Sequence, residues 1–122
     1  YFEERVEVIK EYKKLKDFPV KVNDLFGDGS LYLASINGHS RGQGCLLVKE
    51  KNLFIAADVC WGVDLMKYTE RMRTLPKLVQ DNFRDYEKGI DILEKIQKEK
   101  IDVVVSHDSE ERIKKILYEE NN

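Results

Sequence analysis

Gly44-Cys45-Leu46-Leu47-Val48, the charged segment Lys49 to Asn52, and Leu53-Phe54-Ile55-Ala56-Ala57 ending on Asp58 form the stretch that decides the fold. Two apolar runs joined by a short polar segment read as a β-hairpin. Both runs are continuously apolar instead of alternating, which is the pattern of a sheet covered on both faces.

Toward the N-terminus, the polar, Gly-rich segment Asn37 to Gly42 precedes the hairpin, and before it Ser30 to Ile36 reads as a strand. Gly27-Asp28-Gly29 tolerates positive φ and predicts the turn that feeds this strand, after the loosely alternating stretch Pro19 to Phe26. Phe2, Val6, Ile9 and Leu15 recur near helical spacing among Glu and Lys, so a helix ending before Asp17 is expected, with Pro19 as its stop signal. Toward the C-terminus, Asp58 to Pro76 is irregular, with a short helix expected around Lys67 to Met72. Phe83, Tyr86, Ile90, Leu93 and Ile96 then step by helical intervals, predicting a long helix from about Lys77 to Lys98 that packs one stripe on the sheet. Ile101 to Val105 is apolar and β-branched, hence a buried strand, and strand–helix–strand order implies a right-handed parallel crossover. A last helix follows, with Asp108 as N-cap, Glu111 completing a capping box, and Ile113, Ile116 and Leu117 as its buried stripe.

The whole is one α/β domain over 1–122, since 122 residues hold one core of ordinary size. Hydrophobic residues at 42% against 36% charged place the chain with globular domains, and no apolar run reaches the roughly 18 residues a bilayer requires. A formal charge of -2 gives no bulk attraction to nucleic acid or anionic membrane, so neither is expected as a partner. Cys45 and Cys60 lack CxxC spacing and no secretory leader precedes them, which fits a reducing compartment, the cytoplasm. Cys45 reads as packing, whereas Cys60 and Trp61 stand near Asp58 with either a packing or a pocket role open to them. The opening residue is Tyr1 and not Met, so the chain is expected to be a processed or truncated piece of a longer product.

The chemistry-bearing residues fall in one place. The chain has 2 His, and each follows an expected strand: His39 after Ser30 to Ile36, His107 after Ile101 to Ser106; Asp58 follows Leu53 to Ala57. If the strands pair in sequence order, all three residues reach the same sheet edge, and ligand sites in α/β folds form at such edges. Two imidazoles and a carboxylate suit zinc, iron or manganese, and a carboxylate bridges two cations. Taken singly, a His after a strand is more often a hydrogen-bonded loop residue and an Asp there a turn or cap residue. Their common edge is what raises the ligand reading to parity with the structural one.

Asn37-Gly38-His39-Ser40-Arg41-Gly42-Gln43, followed by the hairpin that ends on Asp58, resembles the second half of a metallo-β-lactamase-fold hydrolase. Members carry a Pro-Gly-His-Thr-x-Gly-His type segment and then a hairpin ending in a metal-bridging Asp. Asp24-Leu25-Phe26-Gly27-Asp28-Gly29-Ser30 is similar to the preceding segment of lactonase-like and glyoxalase-II-like branches, and Ser106-His107-Asp108 to the strand end bearing the last metal-binding His. The likeness runs from about Val20 to the end. It implies half of a four-layer αββα sandwich, with His39 on a first metal, Asp58 bridging and His107 on a second. It also implies two divalent ions, zinc foremost with iron or manganese as alternatives, and a metal-activated water that attacks an ester, lactone, thioester or amide carbonyl of a small molecule. Asn37 stands where Pro is common, which is expected to loosen the turn, and Gln43 stands where a non-ligand His is frequent. The family's His-x-His-x-Asp-His motif has no counterpart, so the N-terminal half of the fold is expected to be missing, and the chain alone to bind metal weakly and to be inactive. The alternative is a non-catalytic half-domain whose bare sheet face pairs with a partner or a second copy. A small α/β binding domain with a coincidental His-Asp-His edge is a third reading.

Overall fold

The hairpin sits inside a larger mixed sheet. The computed structural model describes residues 8–37, 42–59 and 83–119. Six strands pair in the order β1-β2-β3-β4-β5-β6: β1 Lys13–Lys14, β2 Lys21–Asp24, β3 Leu31–Ile36, β4 Gln43–Val48, β5 Leu53–Ile55 and β6 Asp102–Val104. Neighbours from β1 to β5 are antiparallel, and β5 and β6 are parallel, with helix α1, Phe83–Lys98, between them in sequence. The order and directions expected for the last four strands are those observed. A 3-10 turn, Lys49–Lys51, closes the hairpin, and Asn52 leaves it in the left-handed region at φ 48°. A short helix, α2, Glu110–Lys114, runs into a π-turn, Lys115–Glu119.

Register sorts the side chains into two faces, because paired residues share a face. Tyr32, Leu47, Phe54 and Val103 form one row across the sheet, beside Val22, Ala34 and Cys45. With Ile36, Ala56, Val59 and Val105 this face meets Ile90, Leu93 and Ile96 of α1 in a single core cluster. Phe54, fully buried at its centre, stacks obliquely on Phe18 with ring centroids 5.7 Å apart and planes at 60°, a favourable edge-tilted arrangement. The opposite face carries the row Leu33, Leu46, Ile55 and Val104, flanked by Leu31, Val48 and Leu53. Of these seven aliphatic residues only Leu53 is buried; the other six are half-buried or exposed. The continuous apolar pattern therefore marks, among the described residues, a sheet with one sealed face and one partly open face, and not the two covered faces expected.

Other local differences have physical causes. Residues 8–12 are not helical and Lys13–Lys14 is an edge strand paired with Val22 and Lys21, so the C-terminal end of the expected first helix is extended chain. Leu15 packs against the core while the two lysines face solvent, which is how sheet edges are commonly kept short and charged. The first seven positions of that helix and the short helix at 67–72 lie outside the described residues. Asp24 organises the β2–β3 turn: its carboxylate accepts from Gly27 N at 3.0 Å and Gly29 N at 2.9 Å, with both glycines at positive φ. Within it, the hydroxyl and amide of Ser30 hold the exposed Asp28 carboxyl below its ordinary range. In the last helix Ile113 and Ile116 are half-buried and Leu117 is exposed, because α2 lasts 5 residues and lies past the end of the core.

Gly89 of α1 marks the closest approach of helix to sheet. A Cβ there would lie 3.0 Å from Val59 Cγ1, 3.3 Å from Ile36 Cγ2 and 3.4 Å from the Asn37 carbonyl oxygen. Val59 and Ile36 are both buried and have little room to yield. On an open helix Gly→Ala gains about 1 kcal/mol, but overpacking of a tight core costs about 1–3 kcal/mol. Gly89→Ala is therefore expected to lose stability, by about 1 kcal/mol in urea denaturation, and a gain would show that the helix can lift off the sheet. Burial pushes the Cys45 thiol up from 9.0 to about 12. The stability contributed by its neutral form is complete below pH 9.0 and is lost as the pH rises from there toward about 12. Iodoacetamide at neutral pH is expected to spare Cys45 in the folded chain and to modify it in guanidinium, read by peptide mass so that Cys60 is scored separately.

Candidate metal centre

The parallel pairing of β5 with β6 brings the ends of the two strands together. Leu53 lies against Asp102, Phe54 against Val103 and Ile55 against Val104. Beyond the strands the pairing continues by backbone bonds, Ala56 N donating to Val104 O at 2.8 Å and Ser106 N to Ala57 O at 2.7 Å. Ala57 then takes φ 49° and Val59 N returns to Ala56 O at 3.0 Å, so the chain turns sharply at Asp58. A matching turn closes at His107, where Asp108 N donates to Val105 O at 3.2 Å.

Asp58 and His107, both singled out as ligands, emerge side by side. His107 Nε2 is 3.6 Å from Asp58 Oδ1, with side chains 71% and 41% exposed. This exceeds an N–H···O hydrogen bond, which falls at about 2.7–3.2 Å. It matches the spacing of two donors on one first-row cation whose bonds are about 2.0–2.2 Å long. Asp58 Oδ1 is itself out of contact with solvent and has no hydrogen-bond partner among the described residues. A buried carboxylate oxygen without a donor is costly, and a cation relieves that cost, so the two residues fit a divalent metal. The third proposed ligand, His39, lies outside the described residues, as do Cys60 and Trp61. Among the described residues no group of three His, Cys, Asp or Glu converges as a metal-binding cluster.

The ends of the His39 segment are tied together. Asn37 Oδ1 accepts from Gly42 N at 2.7 Å, with Gly42 at φ 66°. The residue that stands where Pro is common thus ties the two ends of the segment by its side chain. Gln43, next in line on β4, has a second buried oxygen, Oε1, with no partner among the described residues.

Asp108 is not the helix cap. Ser109, with extended backbone, caps α2 by accepting from Arg112 N at 3.2 Å. Asp108 turns inward: its Oδ2 accepts from Val105 N at 2.9 Å and from Arg112 Nη1 at 2.6 Å, while Arg112 Nη2 donates to Val103 O at 2.7 Å. The i,i+4 spacing of Asp108 and Arg112 was the available sequence signal for this pair.

No family model matches the chain, and no curated protein matches it in sequence. Its fold is similar to a solved N-acyl homoserine lactone hydrolase, whose structure holds the product N-hexanoyl-L-homoserine at a catalytic metal centre. The TM-score is 0.56 at 16% identity, over 75% of this chain and 35% of that enzyme. The likeness is one of fold, and this chain spans about a third of the enzyme's length. No helix among the described residues is long and apolar enough to cross a membrane.

Asp58→Asn retains the shape of the side chain and removes its charge. In EDTA its melting temperature is expected to stay level or rise, since an uncompensated charge is lost, whereas the zinc-induced rise expected of the parent chain is expected to vanish. Strong destabilisation in EDTA would make Asp58 a turn residue and not a ligand.

Proposed function

We propose that the chain is the C-terminal part of a metal-dependent hydrolase of the metallo-β-lactamase superfamily, lactonase-like, acting on a small-molecule ester, lactone, thioester or amide. The observation that carries this reading is the pair Asp58 and His107, two ligand-type side chains converging at the carboxyl ends of parallel strands, with an unpartnered buried oxygen between them. The similarity in fold to a metal-centred lactone hydrolase supports it. In this reading His39, Asp58 and His107 hold two divalent cations, zinc foremost and iron or manganese in the same donor set. Such cations supply Lewis acidity, lowering the pKa of water and polarising the scissile carbonyl. The chain's own contribution is placement. Asp58 offers two carboxylate oxygens to neighbouring cations, and His107 presents Nε2 from a turn fixed by backbone bonds.

The open sheet face supports the four-layer αββα architecture. Leu31, Leu33, Leu46, Val48, Ile55 and Val104 form the apolar surface that a second sheet, from the N-terminal half of such a domain, would cover. Catalysis then belongs to the assembled domain, because three ligands shared between two cations fall short of the usual three or four protein donors per site. The same face also favours a second reading, a half-domain that self-associates without turnover. In neither reading is nucleic acid or membrane a partner, and the cytoplasm is the proposed location.

Native mass spectrometry of the protein separates the two readings. An assembly heavier than one chain and carrying about two metal ions supports the hydrolase, whereas a metal-free oligomer of this chain alone supports the half-domain. The chain by itself, with saturating zinc, is expected to leave homoserine lactones, thioesters and chromogenic β-lactams unhydrolysed. Turnover that His107→Ala abolishes would overturn that expectation and show that the chain carries a complete site.

A further inference from the structure

The imidazole of His107 is 71% exposed, and its polar contact among the described residues is with Asp58. Its position is therefore set by its backbone. That backbone is held by an interaction unlike the others on this surface: the Asp108 side chain is 2% exposed and the guanidinium of Arg112 beside it 20%. One carboxylate oxygen of Asp108 takes both the amide of Val105, two residues before His107, and Arg112 Nη1, and the other arm of the guanidinium grips Val103 O on β6. The helix gains no cap from Asp108, because Ser109 fills that role. Buried ion pairs are weak sources of stability compared with apolar packing, but they fix geometry.

We propose that Asp108 and Arg112 are positioning residues for His107, a buried carboxylate–guanidinium strap that locks the Val105–Asp108 turn and so sets the distance from His107 Nε2 to Asp58. The proposal rests on the metal-centre reading of Asp58 and His107. Arg112 suits the role through its planar fork, which reaches Asp108 and Val103 together; a lysine has a single point of attachment.

The test titrates the chain with zinc chloride and follows the imidazole nitrogens by long-range 1H–15N NMR, at a temperature where every variant is folded. The chain has 2 His, and His39→Gln assigns the signals. Arg112→Met is expected to weaken the zinc response of His107 by about tenfold or more, the usual effect of losing a group that orients a ligand. Arg112→Lys, which can still pair with Asp108, is expected to fall between it and the parent. Val22→Ala, a core change on β2, four strands from β6 in the sheet order, lowers stability and is expected to leave zinc affinity as in the parent. If Arg112→Met does not fold, Asp108→Asn, which retains an acceptor for Val105 N and weakens the pairing with Arg112, is judged by the same criterion. Zinc affinity in the strap variants equal to that of Val22→Ala and the parent overturns the positioning role and leaves the metal centre intact. A parent chain whose His107 signals ignore millimolar zinc overturns the metal centre and the positioning role with it.

Discussion

The parallel register of β5 on β6 is the constraint on which everything else depends. Phe54 against Val103 puts two wholly buried side chains in the row that α1 covers. Equal steps along both strands then deliver Asp58 and His107 to the same edge, where His107 Nε2 lies 3.6 Å from Asp58 Oδ1. A slip of one residue would exchange the faces of β6, sending Val103 to the open side and Val104 to the core side. It would also move His107 along the edge by about one strand residue, 3.3 Å, and separate it from Asp58. Core packing and the spacing of the candidate ligands are thus enforced by one set of contacts.

Gly89 extends that constraint into the site. Because it has no side chain, α1 settles against Val59 and Ile36, and its backbone comes close to the Asn37 carbonyl. Val59 follows Asp58, and Asn37 opens the segment that carries His39. The helix therefore bears on two of the loops that rim the edge, while the Asp108–Arg112 pair fixes the third from the other side. Loops at a strand edge are placed accurately only when such rigid elements hold them.

Most of the central sheet was legible in the sequence because its signals are local and strong. The hairpin, the strand before it and the helix–strand crossover follow from apolar runs and helical spacing, and they suffice to put Asp58 and His107 at one edge. What escaped depends on tertiary context. The spacing of Phe2, Val6 and Ile9 suits a helix, yet further along Lys13 and Lys14 pair with β2 while Leu15 reaches the core. Asp108 and Ser109 are adjacent and both able to cap, yet Asp108 turns inward to Val105 N and Arg112, contacts its sequence position alone does not announce. A continuous apolar run likewise reports that both faces of a strand avoid water, without saying whether the covering layer lies in the same chain.

That last ambiguity bears on function. Six aliphatic side chains, five half-buried and Ile55 exposed, are contiguous on the open face, and they belong to the sheet whose strands β5 and β6 lead to Asp58 and His107. In the proposed hydrolase a second sheet laid on this face would carry its own strand ends to the same edge. Burial of the apolar rows and completion of the ligand set would then be one event, since neither layer holds enough donors alone. Self-association of two identical copies would bury the same rows, but it would bring a second set of the same ligands and not the His-x-His-x-Asp-His donors that the family likeness requires. In that reading the apolar face and the short ligand set have one cause, and a covering layer that buried only the face would leave the carboxylate oxygen of Asp58 without a partner among the described residues.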